Sequence, residues 1–259
     1  MFISFENVEY KYNETVILDN FNLQINKGEK IALVGSSGEG KTTIIRLLLK
    51  FLTPQKGRIL IENNDLKDIP DEEWYRRIGV LSQNAHIFNR TLRENLLIAK
   101  PSATDKELLE ALERSGLKKF LEKRNGLETQ LGSKGVAISG GERTRIALTR
   151  LLLKDPEFLI LDEPLEGVDK LVEKEVIENI RNFIKDKTLL LISHRFSILS
   201  LTEEFAVLQD GKIVEKDKFH NFSENSLLKK FFKAENELTE KFRRGKENGN
   251  ADKMDYEVQ

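Results

Sequence analysis

Residues Lys30–Lys50 read "KIALVGSSGEGKTTIIRLLLK". The opening "KIALVG" is short, uniformly apolar and rich in Ile, Leu and Val, the pattern of a strand buried on both faces of a parallel sheet. Lys41–Lys50 predicts a helix. Between the two, Gly35–Thr42 fits G-x-x-x-x-G-K-[ST], and its position between strand and helix is the context in which that pattern cradles phosphates. Gly35, Gly38 and Gly40 are expected to let the backbone curl so that the N–H groups of Ser36, Ser37, Glu39 and Thr43 and their neighbours point inward at phosphate oxygens. Lys41 supplies a positive charge for the β- and γ-phosphates, and the Thr42 hydroxyl a ligand for Mg²⁺. The bland reading is a glycine-rich turn that binds nothing. The motif implies a nucleotide but does not specify a reaction.

Working outward, three more segments read as buried strands: "RRIGVLS" (Arg76–Ser82), "FLILDE" (Phe158–Glu163) and "KTLLLIS" (Lys187–Ser193). Helical stretches are predicted over Asp105–Arg114, Glu142–Leu153 and Lys170–Ile184. Strand alternating with helix predicts an α/β fold with a mainly parallel sheet. "FISFENVEYKY", "LDNFNLQINKGE" and "GRILIE" (Gly57–Glu62) predict an antiparallel sheet beside that core. "EFAVLQDGKIVEK" predicts a hairpin turning at Asp210-Gly211. The expected organisation is a nucleotide-binding core with its antiparallel β subdomain over residues 1–84 and 154–221, and a helical subdomain over 85–153. A C-terminal helix with a polar, disordered tail is expected over 222–259, with Leu227, Leu228, Phe231 and Phe232 docked on the body.

In an open α/β sheet, ligands sit at the carboxyl ends of the strands. The phosphate loop follows "IALV", Gln83 follows "GVLS", Asp162 and Glu163 end "FLILDE", and His194 follows "LLLIS". Convergence of such residues at one edge is not explained by ordinary solvation. Asp162 is placed to hold Mg²⁺ with Thr42. Glu163 is the candidate to polarise an attacking water, although adjacent carboxylates also suit a charged strand end. Of three histidines, only His194 sits at a strand end, which assigns it to the γ-phosphate; His86 and His220 are expected at the surface.

A second glycine pair lies in "ISGGERTRIALTR", Ile138–Arg150. Ser139 and Glu142 form S-x-x-E, a capping box that needs no ligand. The sharper reading is that bare glycine backbone at a helix N-terminus admits a large anion.

The 259 residues are 39% apolar and 33% charged, yet the net charge is only −1. That balance argues against a general nucleic-acid binder. Without cysteine there is neither a disulfide scaffold nor a thiolate metal site, which suits a reducing compartment. No apolar run is long enough to span a bilayer, and "MFISFENVEYKYNE" is not a secretory signal. A cytoplasmic chain is therefore expected, with any membrane role exercised through a partner.

Taken in order, these motifs resemble the ATP-binding-cassette (ABC) nucleotide-binding domain across nearly all of Ile3–Leu228. "GSSGEGKT" resembles Walker A, Gln83 the Q-loop, "ISGGE" the signature, "FLILDE" Walker B, "EGVD" the D-loop and His194 the switch histidine; Tyr12 matches the aromatic residue that stacks on adenine. The resemblance implies Mg²⁺-ATP hydrolysis by a head-to-tail dimer. In it, Ser139, Gly140, Gly141 and Glu142 of one chain would meet the γ-phosphate held by the other, and Asp169 would face the interface. Gln83 and Lys41 would join Glu163 and His194 in catalysis, with Gln83 also near Mg²⁺. "HIFNRTLRENLL" and "GLETQLGSKGVAISGGE" resemble exporters. These imply a transmembrane domain as partner, on the same or a separate chain, contacted by Gln83–Asn95, and a place at the cytoplasmic face of the inner membrane. "DEPLEGVD" with "RTLRENLLIAKP" is similar to the CydC-type subunit of heterodimeric exporters linked to cytochrome bd assembly. The sequence departs from the family at Ile138, at Glu142 and in "LEGVD". These departures leave open a catalytically weak regulatory half paired with an active partner. A soluble cassette acting on ribosomes or DNA would bring coiled coils or basic arms, and a small-molecule kinase would not account for "ISGGE" or His194.

Overall fold

A computed structural model describes residues 3–82, 85–132, 135, 137–193 and 195–233. In chain order, β1 (Ile3–Tyr12) and β2 (Thr15–Ile25) form a hairpin. Next, β3 (Lys30–Val34) leads through the glycine loop into α1 (Lys41–Leu48), followed by β4 (Lys56–Ile61), β5 (Asn64–Asp65), α2 (Asp71–Arg77) and β6 (Ile78–Leu81). Four helices come next: α3 (Leu92–Leu97), α4 (Asp105–Arg114), α5 (Lys118–Glu122) and α6 (Gly140–Lys154). Then β7 (Phe158–Asp162), α7 (Lys170–Phe183), β8 (Thr188–Ile192), α8 (Phe196–Leu199), β9 (Glu204–Gln209) and β10 (Lys212–Lys218) complete the body.

Two sheets organise these elements. One is antiparallel, in the order β2-β1-β4-β5. The other runs β10-β9-β3-β8-β7-β6, parallel throughout except for the β9–β10 hairpin. This is the α/β architecture expected from the alternation of apolar runs and helical stretches. The parallel strands separate two apolar layers by simple alternation. Phe158 and Ile160 face the layer shared with α1 and the antiparallel sheet, where Phe5 meets Phe21 edge-on at 5.1 Å. Leu159 and Leu161 face the layer shared with α4, α6 and α7. Both faces of the parallel strands are thus withdrawn from water, which explains why they read as unbroken apolar runs rather than alternating ones.

Three local expectations are corrected. Arg76 and Arg77 belong to α2, not to the strand that follows. This helix carries acids Asp71, Glu72 and Glu73 in its first turn and the two arginines in its last, matching the helix dipole at both ends. Its apolar anchor is the fully buried Trp74, whose indole N–H donates to the Leu48 carbonyl at 2.6 Å. Second, β2 begins at Thr15, earlier than the "LDNFNLQINKGE" pattern implies, because it extends a two-residue hairpin from Tyr12 opposite Thr15. Third, residues 227–233 are helical, with Leu228 and Phe232 buried and Phe231 partly buried against the same core, but Leu227 does not dock. Leu227 is 37% exposed. Phe232 packs on Phe196 with 4.5 Å between ring centroids. The polar tail lies outside the described residues.

The antiparallel sheet closes on a single close approach. β1 bulges between Glu6 and Glu9, and Gly57 of β4 (φ +74°) fits beneath it. A methyl group at position 57 would strike the carbonyl oxygens of Glu6 and Asn7. At Gly28 (φ +80°) the same methyl group meets nothing within 4 Å. Gly57→Ala is expected to destabilise the chain by about 3 kcal/mol or more, since it combines backbone strain with overlap, and Gly28→Ala by only about 1 kcal/mol. Urea midpoints of the two variants, measured together, test the difference.

Candidate functional site

The carboxyl end of β3 delivers the glycine loop to the switch point between β8 and β9. Gly40 is the N-cap of α1 in a left-handed conformation (φ +108°), and no side chain caps the helix there. The first turn of α1 carries no acidic residue, so its free N–H groups and the positive end of its dipole face the loop without a competing carboxylate. Gly38 is also left-handed (φ +90°), but Gly35 is not. Gly35 is glycine for a different reason: a Cβ there would lie 2.5 Å from the Leu208 carbonyl of β9. The expectation that it relaxes the turn is replaced by close strand packing. The Glu39 carboxylate turns away from the loop interior and accepts the Asp210 N–H of the β9–β10 turn at 2.6 Å. Lys41 folds back over the loop and donates to the Gly35 and Ser36 carbonyls at 2.5 and 2.7 Å. Burial lowers its pKa, and the nearby Glu163, Asp162 and Glu39 charges oppose that shift.

A cleft of about 730 Å³ opens above this loop. Ser37, Gly38, Gly40, Lys41, Thr42 and Thr43 form its floor, and Asp162 and Glu163 its wall. Ser36 is exposed beside them and is not among the lining residues. Asp162 ends β7 opposite Ile192 of β8. Burial raises its pKa, Glu163 and Glu166 add to the rise, and Lys41 opposes it. Glu163 adopts φ +47°, a left-handed backbone uncommon outside glycine and asparagine. Its N–H donates to the Ile192 carbonyl at 2.9 Å, and its carboxylate Oε2 accepts the Ser193 hydroxyl at 2.9 Å. Tyr12 reaches the cleft from the end of β1, edge-on to Tyr10 at 5.0 Å, and its hydroxyl accepts from Arg46 at 3.1 Å.

Sequence reasoning missed three charged residues of this cleft, Arg46, Glu166 and Arg195. Arg46 was within reach, since it lies four residues after Thr42 and therefore on the same helix face. Arg195 is fixed by Glu173 of α7 at 3.1 Å, a pairing across the fold with no local signal. Two predicted residues, Gln83 and His194, lie outside the described residues.

The second glycine pair is elsewhere. Ser139, Gly140, Gly141 and Glu142 are not among the residues lining the cleft of their own chain. The capping box is formed in full: Ser139 N–H donates to the Glu142 carboxylate at 2.8 Å, and Glu142 N–H to the Ser139 hydroxyl at 3.2 Å. The two glycines differ in kind. Gly140 is exposed, and a Cβ on it meets nothing within 4 Å. Gly141 is buried, and its Cβ would strike the Gly167 carbonyl. The reading that both glycines clear space for a ligand is corrected for Gly141, whose missing side chain admits the 164–168 loop of the same chain. Thr144 reinforces that contact by donating to both the Gly140 and Glu166 carbonyls at 3.2 Å. The loop therefore joins the two features: Glu166 lines the cleft, and Gly167 rests on the helix tip.

A cleft of equal size, about 730 Å³, opens near the amino ends of β7 and β8. Its lining mixes Lys27, Arg114 and Lys187 with Glu110, Glu157 and Asp186. Without a glycine loop or a strand-end carboxylate pair, it offers no comparable chemistry.

The family model described as "ABC transporter" matches residues 18–166. A Haemophilus influenzae protein described as an uncharacterized ABC transporter ATP-binding protein is 37% identical over 221 residues, covering 83% of this chain and 36% of that protein. The leukotoxin translocation ATP-binding protein LktB of Mannheimia glucosida is 37% identical over 228 residues, covering 86% and 32% respectively. Among solved structures, a bacterial Atm1-family ABC exporter with ATP bound superposes with a TM-score of 0.85 at 28% identity. That match covers 90% of this chain and 41% of the exporter chain. The chain thus spans about a third of the length of the curated relatives it matches.

The contrast between the two glycines is testable in the isolated chain. Gly141→Ala is expected to lower the unfolding free energy by about 2 kcal/mol through overlap with the 164–168 loop, whereas Gly140→Ala leaves it within about 1 kcal/mol of the parent. Thermal and urea unfolding of the pair check this.

Proposed function

Because the chain belongs to the ABC transporter family, whose members bind ATP, we propose that it binds Mg²⁺-ATP and hydrolyses it to drive export through a transmembrane partner. One observation carries this reading: Lys41, Thr42, Asp162 and Glu163, delivered by two different strands, line a single cleft over an uncapped helix N-terminus. That N-terminus and the Lys41 ammonium would receive the phosphates. Tyr12, steadied by Arg46, would stack on the base. Glu163, with its backbone and carboxylate both held, would orient and polarise the attacking water, and His194 and Gln83 would approach the γ-phosphate from their strand ends.

Among the described residues, no group of three or more His, Cys, Asp or Glu could cage a metal. Mg²⁺ does not require one, because it keeps waters and phosphate oxygens and takes one or two protein ligands. Thr42 and Asp162 fit that role, with Gln83 beside them. Burial, with Glu163 and Glu166 beside it, raises the Asp162 pKa, and a divalent charge would favour its ionised form. Once bound, the ion would neutralise charge on the phosphates.

Ser139 and Gly140 would close the cleft of a second nucleotide-binding domain, in a homo- or heterodimer. The support is that both are exposed and stand outside their own chain's cleft. The restraint on Glu163 favours an active chain over a regulatory half. On this reading the core, 1–84 with 154–221, holds the nucleotide, and the helical block, 85–153, presents the signature. The transmembrane contact falls within residues 83–95. His86 and Phe88 are exposed there and stack edge-on at 4.7 Å. Arg150 of α6 clamps the segment, donating to the His86 carbonyl at 2.6 Å and to the buried Asn95. No described helix is long and apolar enough to cross a membrane. On the exporter reading the chain would sit at the cytoplasmic face through that partner. The LktB relative carries translocation in its name, and the structural match is an exporter.

Glu163→Gln is expected to cut Mg²⁺-dependent ATP turnover by about 100-fold or more, while the ATP dissociation constant stays within about twofold and an ATP-dependent dimer persists longer. Phosphate release, nucleotide titration and size-exclusion chromatography read these outcomes. Ser139→Phe is expected to abolish the dimer while the monomer still binds ATP; loss of monomer binding would refute closure by a second chain.

A further inference from the structure

Glu163 occupies a left-handed backbone conformation (φ +47°) that is strained for a non-glycine residue. Such a residue is held only if its surroundings over-determine it. The surroundings here are the end of β8: Ile192 accepts the Glu163 N–H, and Ser193 donates its hydroxyl to Glu163 Oε2, both at 2.9 Å. Ser193 is 3% exposed, so little water competes for that bond.

The direction of the Ser193 hydroxyl is itself determined. Its oxygen accepts the Arg195 N–H at 3.2 Å. An ionised carboxylate can only accept, so the serine proton is the one placed between Ser193 and Glu163. Arg195 is braced by Glu173 of α7 at 3.1 Å. A continuous set of bonds thus runs from α7 through the strand end to the carboxylate. The five residues of β8, Thr188–Ile192, are all buried, four of them apolar. A hydroxyl placed after such a run and itself buried needs a partner.

We propose that Ser193 is a positioning residue for ATP hydrolysis, holding the Glu163 carboxylate through Oε2 so that it meets the attacking water in a single orientation. The proposal rests on the reading of Glu163 as the group that polarises that water. A glutamate has three side-chain torsions, and a base able to swing away from the reacting atom loses the advantage of pre-set geometry. A hydroxyl that merely capped the Arg195 N–H would affect stability but would not act selectively on the chemical step.

The test compares Ser193→Ala, Ser193→Thr and Glu163→Gln in this chain, using Mg²⁺-ATP. Ser193→Ala is expected to lower kcat about tenfold, the scale of a hydrogen bond to a charged group, with KM and the ATP dissociation constant within about twofold. Ser193→Thr, which keeps the hydroxyl, is expected to restore kcat to within about threefold of the parent. In a Glu163→Gln background, Ser193→Ala is expected to leave the residual rate unchanged, because the two residues act through one carboxylate. A Ser193→Ala kcat within twofold of the parent overturns the proposal, as does an undiminished tenfold effect in the Glu163→Gln background. Should Ser193→Ala fold poorly, Ser193→Cys keeps the volume with a weaker donor; a parent-like kcat in that variant also overturns it. If Glu163→Gln itself turns over normally, the role given to Glu163 falls instead.

Discussion

The in-register parallel pairing of β7 with β8, Phe158 opposite Thr188 through Asp162 opposite Ile192, is the constraint on which the site depends. Parallel strands buried on both faces cannot slip by one residue without exchanging two apolar layers. Their carboxyl ends therefore emerge together, and the polar residues just beyond them are forced into one neighbourhood. The same pairing places the Ile192 carbonyl and the Ser193 hydroxyl where Glu163 can use both. With β3 between β8 and β9, the glycine loop arrives at that edge too. The cleft is assembled by the sheet, and the local motifs supply its chemistry.

A second constraint joins this cleft to the distant helix tip. A Cβ at Gly141 would overlap the Gly167 carbonyl, and Gly167 is itself left-handed (φ +71°), with backbone of Gly140 and Gly141 packed 3.2–3.3 Å from where its Cβ would stand. The 164–168 loop spans the gap, with Glu166 at the cleft and Gly167 on α6. Thr144 fastens the same contact by hydrogen bonds. Packed backbone transmits displacement because it cannot compress. The loop therefore packs the cleft wall and the helix tip against each other. Glycine at 167 suits the left-handed backbone (φ +71°) with which this loop seats on Gly141.

The polar balance of the cleft follows from burial. Burial raises the Asp162 pKa, the neighbouring Glu163 and Glu166 add to the rise, and Lys41 offsets it from the floor. Burial lowers the Lys41 pKa, and Glu163, Asp162 and Glu39 oppose that shift. Each side makes the other's charge tolerable in a partly desolvated site. An anionic ligand on the floor and a divalent cation at the wall would extend the same arrangement.

The fold was legible wherever physics is local. Uniform apolar runs identified β3, β7 and β8, helical periodicity identified α4, α6 and α7, and Asp210-Gly211 announced its hairpin. The glycine loop, the strand-end carboxylates and the Ser139–Glu142 cap were also readable, because each is defined by spacing along one segment. What sequence alone could not supply was every decision made by segments meeting in space. It did not separate α2 from β6, since Trp74 is anchored by a carbonyl from another helix. It attributed Gly35 to a turn and Gly141 to a ligand, whereas one is needed by β9 and the other by the loop at Gly167. It also gave no sign that Ser193, Arg195 and Glu173 would line up behind Glu163. Residue type and periodicity determine which elements form and which chemical groups are present. Only the tertiary structure decides which backbones come too close for a side chain and which buried hydroxyl finds a carboxylate, because those outcomes depend on distances between residues far apart in the chain.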